Sequence, residues 1–318
     1  MDLPRRIQVT GRNTFIVSLP HEWVSKMSIS KGDAAYLTQN GDGSLTLSLR
    51  KSDRALKTVA LQVSSSSRAN SMRNIVSAYV GGAGKIILKG NDTHTIAEEA
   101  RRVLSGVEIA DEEGDELTLK ILDFDDVQMD NIIKREFNVT QSMFNLAISA
   151  FKDGVENFTE VTRKEDEVDR LYLLLLRTLI IGHHKSSESI FRVITAKSME
   201  KVSDHLVDIC SKAKDSAPDE RVAGLLERVM RMYSTAYSTF ARCELDESEF
   251  SKAREDYRNE FVKADGLAKK EKSPSRMVEL RSFMEKCNKI ARYSEDIMEN
   301  AGDLVFARME GAQAKDAG

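Results

Sequence analysis

From about residue 125 to residue 311 the chain carries only two prolines, Pro218 and Pro274, and its apolar residues recur every three or four positions with no alternating β-branched run. That periodicity commits more than half of the chain to amphipathic helices, because apolar side chains at this spacing fall on one face of a 3.6-residue turn. Both prolines stand where a helix has to stop and another begin. The pattern predicts six long helices, roughly 126–157, 160–182, 187–215, 219–242, 246–270 and 275–311. Short connections between them point to two three-helix bundles or one elongated bundle. The last residues, 312–318 (AQAKDAG), are expected to be a disordered tail.

Ahead of residue 123 the pattern changes twice. Residues 51–122 read as a small α+β linker domain in the order β-α-β-α-β-β. Its strands are expected at Thr58–Val63, Lys85–Leu88, Val107–Ala110 and Glu116–Leu122, with helices at Ser67–Val80 and Thr95–Leu104. Residues 1–50 read as strands around one short helix. Ile7-x-Val9 alternates, Thr14–Leu19 is β-branched and aromatic, Pro20 opens the stretch HEWVSKM, and Lys31-Gly32-Asp33 makes a turn. Two further strands, Tyr36–Thr38 and Leu45–Leu49, flank Asn40-Gly41-Asp42-Gly43, a strong hairpin signal. Fifty residues with one short helix hold too little apolar volume for a full core, so this module is expected to complete itself against a second copy.

Charge and cysteine usage narrow the class. A net charge of -4 over 318 residues excludes a generally basic nucleic-acid coat, so any nucleic-acid contact has to come from a local patch. Cys210, Cys243 and Cys287 lie far apart without C-x-x-C spacing, which argues against a disulfide framework or zinc knuckle and fits a reducing compartment. The opening MDLPRRIQVTGRN has no apolar h-region, and the densest apolar run, Leu171–Ile181, is interrupted by Arg177 and is too short for a bilayer. A cytoplasmic protein that is not integral to a membrane is the expectation.

The stretch RRIQVTGRNTFIVSLPHEWVSKMSISKGDAAYLTQNGDGSLTLSLR resembles the AbrB/SpoVT/MazE-type swapped-hairpin domain. The resemblance is carried by Arg5-Arg6, Gly11-Arg12, Ser18-Leu19-Pro20, the helix around Trp23, Lys31-Gly32-Asp33 and the terminal hairpin. It implies an interlaced homodimer whose first-strand and first-turn arginines, Arg5, Arg6 and Arg12, face double-stranded DNA. The residues allow this reading. Residues 1–20 carry three arginines against Asp2, a local charge of 3 − 1 = +2 that a dimer doubles. Arginine offers a rigid fork to phosphates and guanine edges. The same arginines could equally be solvated on a module that only dimerises. Trp23 reads as a dimer-core anchor.

In the helical part, carboxylates recur four apart: Glu165/Asp169 on the second helix, and Glu200/Asp204/Asp208 on the third. This spacing puts them on one helix face. Without a counter-ion, like charges so placed repel by a few tenths of a kcal/mol per pair, and a cation shared between helices would reverse the sign. Oxygen donors suit hard metals. The apolar stripe of the third helix is Met199, Val202, Leu206, Ile209 and Ala213, so the carboxylates are expected on the far side, out of their own bundle. A plain solvated acidic face is the other reading of the same pattern.

EDEVDRL followed by MEKVSDHLVDI resembles the PhoU family, which repeats an E/D-x-x-x-D motif on paired helices. The resemblance implies metal ions on the outer bundle surface, held by Glu165, Asp169, Glu200, Asp204 and Asp208. The ion is left open among iron, magnesium, manganese and zinc. The second half departs from the pattern: in ARYSEDIMENA and the residues before it, Asn288 stands at the glutamate position and Arg292 at the first aspartate. Asp256 and Glu260 keep an i,i+4 pair that Arg292 could bind in place of a metal. Chains that join the two resembled domains in this order are archaeal in type.

Other signals carry less. Gly81-Gly82-x-Gly84 precedes a strand and is not a dinucleotide loop. His183-His184 ends a helix as a cationic cap. His205 points about 100° away from Asp204. Nothing assembles a catalytic constellation, so no enzyme is expected.

The expected fold is therefore multidomain: a small mostly-β swapped-hairpin domain (1–50), a small α+β linker domain (51–122) and a large all-α PhoU-like domain of six helices (123–311). The expected function is a homodimeric DNA-binding regulator of phosphate uptake. The alternative is a signalling adaptor that touches a phosphate-transporter ATPase or a sensor protein. A metal-dependent phosphohydrolase is a third class, for which the chain offers no evident nucleophile or base.

Overall fold

The computed structural model describes residues 4–11, 13–39, 45–49, 57–122, 128–155, 157–181, 187–213 and 218–316. The chain divides into two compact units, Met1–Ala55 and Leu56–Gly318. Arg12, Asn40-Gly41-Asp42-Gly43, expected as a hairpin turn, and His183-His184 lie outside the described residues.

The first unit contains β1 (Gln8–Thr10), β2 (Thr14–Ile16), α1 (His21–Lys26), β3 (Tyr36–Gln39) and β4 (Leu45–Ser48). They form two antiparallel pairs, with Val9 opposite Phe15 and Leu37 opposite Leu47. Strand pairing stops at Gln8↔Ile16, so Val17–Leu19, expected in the strand, lie outside it. The Lys31–Asp33 turn is closed by Asp33, which donates its amide to the Ser30 carbonyl at 3.1 Å and accepts the Ser30 amide on its carboxylate at 2.7 Å. No described residue of 4–49 is buried.

The second unit opens with a four-stranded sheet and two helices: β5 (Lys57–Val63), α2 (Arg68–Val80), β6 (Ala83–Gly90), α3 (Thr93–Val103), β7 (Val107–Glu113) and β8 (Glu116–Ile121). The sheet order is β5-β6-β8-β7; β5 and β6 are parallel and the other neighbours antiparallel. The alternation in β8 sets its faces. Leu117, Leu119 and Ile121 are buried with Ile86, Leu88, Ile75 and Tyr79, while Lys120 faces out. Gly90 ends β6 at φ +128°, where a Cβ would stand 2.3 Å from the Val63 carbonyl oxygen, so only glycine fits.

Six helices follow: α4 (Met129–Asp153), α5 (Phe158–Ile181), α6 (Ser187–Ala213), α7 (Glu220–Arg242), α8 (Ser248–Ala268) and α9 (Pro274–Asp316). Helices α4, α5 and α6 pack on one another, as do α7, α8 and α9; α4–α7 and α6–α9 contacts join the two triplets over one continuous apolar core. The stops have local causes. Gly154 ends α4 in the left-handed region at φ +69°. Asp219 caps α7, accepting the Arg221 amide at 2.9 Å, and Pro274 opens α9. Helix α9 runs on to Asp316, over most of the stretch 312–318, whose Ala312, Gln313, Ala314 and Lys315 are good helix formers.

The sheet and the helices meet along one face of α5. Leu173 packs on the sheet core, Arg170 donates to the Arg102 carbonyl at 3.1 Å, and Arg177 is only 2% exposed. Its Nη1 donates to the carbonyls of Tyr79 (2.6 Å) and Ala83 (2.8 Å), and its guanidinium lies 4.8 Å from the Tyr79 ring centroid. The residue that interrupts the apolar run thus joins α5 to the end of α2 and the start of β6. Among the described residues no helix is long and apolar enough to cross a membrane.

Candidate cation site and candidate nucleic-acid face

The cation candidates stand on α5 and α6, which bring four of the five together. Glu165 and Asp169 on α5 feel the charges of Glu200 and Asp204 on α6. Burial first, then Asp169 and Asp166 ahead of Asp204 and Glu200, push Glu165 up to about 7; burial, then Glu200 and Asp204, push Asp169 up to about 6. The stripe Met199, Val202, Leu206, Ile209 is buried as its spacing requires. The carboxylates do not all point out of the bundle, however. Glu200 is 8% exposed, at the edge of the α4–α5–α6 core.

Asp208 stands apart. It is bonded to Lys286 of α9, with His205 Nδ1 4.0 Å away. Four-residue spacing drifts by about 40° per step around a helix, so Asp208 has turned about 80° away from Glu200. His205 is held below its usual range by burial and by Lys286 and Lys289.

Two lysines of α6 supply the local counter-charge. Lys197 Nζ is 2.7 Å from a Glu200 oxygen and 4.7 Å from the Tyr172 ring centroid, and Lys201 Nζ is 2.7 Å from Asp204 and 3.4 Å from Glu200. Among the described residues no three His, Cys, Asp or Glu side chains converge tightly enough to grip an ion as they stand.

A fifth carboxyl escaped the spacing analysis. Glu136 of α4 is 0% exposed, and neither of its oxygens has a hydrogen-bond partner. Burial holds it well above the ordinary carboxylate range, and Glu200 and Asp169 add to that while Lys197 opposes it. Its sequence signal is a lone glutamate inside an apolar helix face: Ile132, Ile133, Phe137 and Thr140, its neighbours at helical spacing, are all buried. The donor set suits a hard cation: it is all oxygen, carries excess negative charge, and includes a buried carboxyl with no partner.

The second half of the helical unit does not repeat the arrangement. Asp256 pairs with Arg231 at 3.3 Å and Glu260 with Lys263 at 3.6 Å, while Arg292 is exposed and pairs with neither. The pairing of Arg292 with Asp256 or Glu260 is thereby corrected; α7 and α8 supply the partners instead.

In the first unit Arg5 and Arg6 are exposed, just ahead of β1. They share the surface with Ile7, Val9 and Phe15, which are 70%, 61% and 71% exposed.

The raised carboxyls give stability a definite pH slope. A carboxyl whose folded pKa exceeds its unfolded value of about 4 binds more protons when folded, so its contribution falls as pH rises between those values. For Asp169 and Glu165 that window runs from about 4 to about 6 and about 7. His205, held below its usual range, has the opposite slope. The comparison that isolates the carboxyls is therefore wild type against Glu165→Gln/Asp169→Asn. Melting temperatures in chelator are expected to fall from pH 5 to pH 8 more steeply in wild type. Equal slopes would mean the two groups titrate normally.

Residues 8–55 match the family described as "Antidote-toxin recognition MazE, bacterial antitoxin", and residues 133–213 match the PhoU domain. The chain thus joins an antidote-type domain to a PhoU domain, in that order. The PhoU match runs from within α4 to the end of α6 and contains every carboxylate of the cluster. No curated relative matches the chain.

Proposed function

From a chain that carries an antidote-type domain ahead of a PhoU domain, we propose a homodimeric, cytoplasmic, DNA-binding regulator of phosphate uptake whose helical unit takes a hard metal cation. The observation that carries the reading is the first unit itself: its apolar side chains are exposed and Arg5 and Arg6 stand beside them. A second copy laid over that surface would cover the apolar residues and double the cationic ones. In the helical unit, Glu165, Asp169, Glu200 and Asp204 would hold the cation; when bound it supplies the positive charge that four carboxylates lack. Lys197 and Lys201 offset part of the negative charge until then, and their long stems let the ammonium groups swing aside. Phosphate status would reach the DNA through this unit, either by the cation or by contact with a transporter ATPase or sensor.

The test is fluorescence anisotropy on duplex DNA from upstream of the phosphate-uptake genes of the same genome, beside random duplex, over a salt series. Wild type is expected to bind the upstream DNA more tightly, with affinity falling as salt rises. Arg5→Ala/Arg6→Ala/Arg12→Ala removes six cations from a dimer and is expected to weaken binding by roughly 100-fold or more. Equal binding to both duplexes, or an unchanged triple variant, would leave the signalling adaptor as the function.

A further inference from the structure

Glu136 occupies a place where packing alone would put leucine. It lies on the buried face of α4, among Ile132, Ile133 and Phe137, with no water access and no partner for either oxygen. An unpaired buried carboxyl lowers stability even when it is neutral, since its polar atoms lose hydrogen bonds to water. The pairing of Arg135 with Glu167 at 2.6 Å sets this turn of α4 beside the α5 turn that carries Asp169, and the charges that act on the Glu136 carboxyl are those of Glu200, Asp169 and Lys197, all belonging to the cluster between α5 and α6. The carboxyl therefore faces that cluster from the core side, opposite the solvent.

We propose that Glu136 is a ligand of the cation site, a carboxylate from a third helix that closes the site from beneath together with Asp169 and Glu200. The proposal rests on the cation reading given above, and it adds a residue that the α5–α6 motif does not contain. Three helices then share one ion, and its charge turns the buried carboxylate from a liability into a bond. Lys197 is the group that has to leave: its ammonium contacts Glu200 and its side chain is 42% exposed, so it can move to solvent.

The experiment is Mn²⁺ binding to the full chain by calorimetry, with thermal melts in chelator and in excess Mn²⁺. The proteins are wild type, Glu136→Gln, Glu136→Asp and Glu165→Gln. Glu136→Gln in chelator is expected to melt at or above wild type, because a carboxyl is removed from the core. The same variant is expected to bind Mn²⁺ at least tenfold more weakly, about 1.4 kcal/mol, and to lose most of the Mn²⁺-induced rise in melting temperature. Glu136→Asp, which keeps a shorter carboxylate, should recover part of both. A purely structural role would move the metal-free melt and leave the affinity alone. Mn²⁺ affinity of Glu136→Gln and Glu136→Asp within twofold of wild type, with Glu165→Gln weakened, overturns the role of Glu136 and leaves the cation site standing. No Mn²⁺ binding by wild type overturns both.

Discussion

Replacing Arg177 by alanine is expected to destabilise the second unit by about 4 kcal/mol and to lower its melting temperature by roughly 10 °C. The estimate follows from what the guanidinium holds. It donates to the Tyr79 carbonyl in the last turn of α2 and to the Ala83 carbonyl at the start of β6. A buried hydrogen bond from a charged donor contributes about 1.5–3 kcal/mol. The positive charge also sits at the negative end of the α2 dipole and over the Tyr79 ring. Truncation would take a charged donor from both carbonyls, leaving that of Tyr79 only the Gly82 amide at 3.1 Å, and would open a cavity under α5. Arg177→Lys is expected to recover only part of the loss, because a compact ammonium is more strongly hydrated, so its burial costs more, and it cannot lay a planar group over the Tyr79 ring. Arg177→Met fills the space without donors and should fall between alanine and wild type. Urea denaturation followed by circular dichroism measures each step; a loss below about 1 kcal/mol for alanine would show that the sheet and the helices hold together without this residue.

Arg177 also marks the limit of what could be read along the chain. The six helices were legible because each is long and periodic and because Pro218 and Pro274 mark breaks, whereas the first helix was read on to 157, past Gly154, where α4 ends. The sheet was legible from alternation, clearest in Leu117, Leu119 and Ile121. A charged residue inside an apolar run reads as an interruption, and only the packing of α5 on α2 gives it acceptors. Glu136 was hidden for the same reason: one glutamate in an apolar stripe has no partner at helical spacing, and its neighbours come from α5 and α6. Asp208 shows the same limit from the other side. Its i,i+4 spacing from Asp204 is real, but the drift between four residues and a 3.6-residue turn carries it to Lys286 on α9. Local spacing settles which residues share a face over one turn; over two turns the neighbouring helix decides.

Phe15→Asp is expected to weaken self-association of the full chain by at least 100-fold, with the loss of DNA affinity following from it. In the single chain Phe15 is 71% exposed and sits opposite Val9, itself 61% exposed, on the β1–β2 pair. Leu37 and Leu45, on β3 and β4, are each 62% exposed. A unit with these residues outside and no buried residue among those described has no core of its own. Contiguous apolar surface on a folded module marks an interface. Burying a phenylalanine contributes about 1.5–3 kcal/mol, and two-fold symmetry counts each substitution twice, so removing both rings costs about 3–6 kcal/mol before the aspartates are desolvated. A hundredfold change in Kd corresponds to about 2.8 kcal/mol and is the lower bound of that range. Sedimentation equilibrium over a concentration series reads it directly, with Phe15→Leu as the control that keeps an apolar side chain and should keep the dimer. Arg5 and Arg6 are untouched by the substitution. Loss of DNA binding at protein concentrations where Phe15→Asp is monomeric, and its return as the concentration is raised, would therefore tie DNA affinity to the doubled arginines. An unchanged association constant would mean that the exposed strands are covered by something other than a second copy, and the dimeric arrangement of the arginines would fall with it.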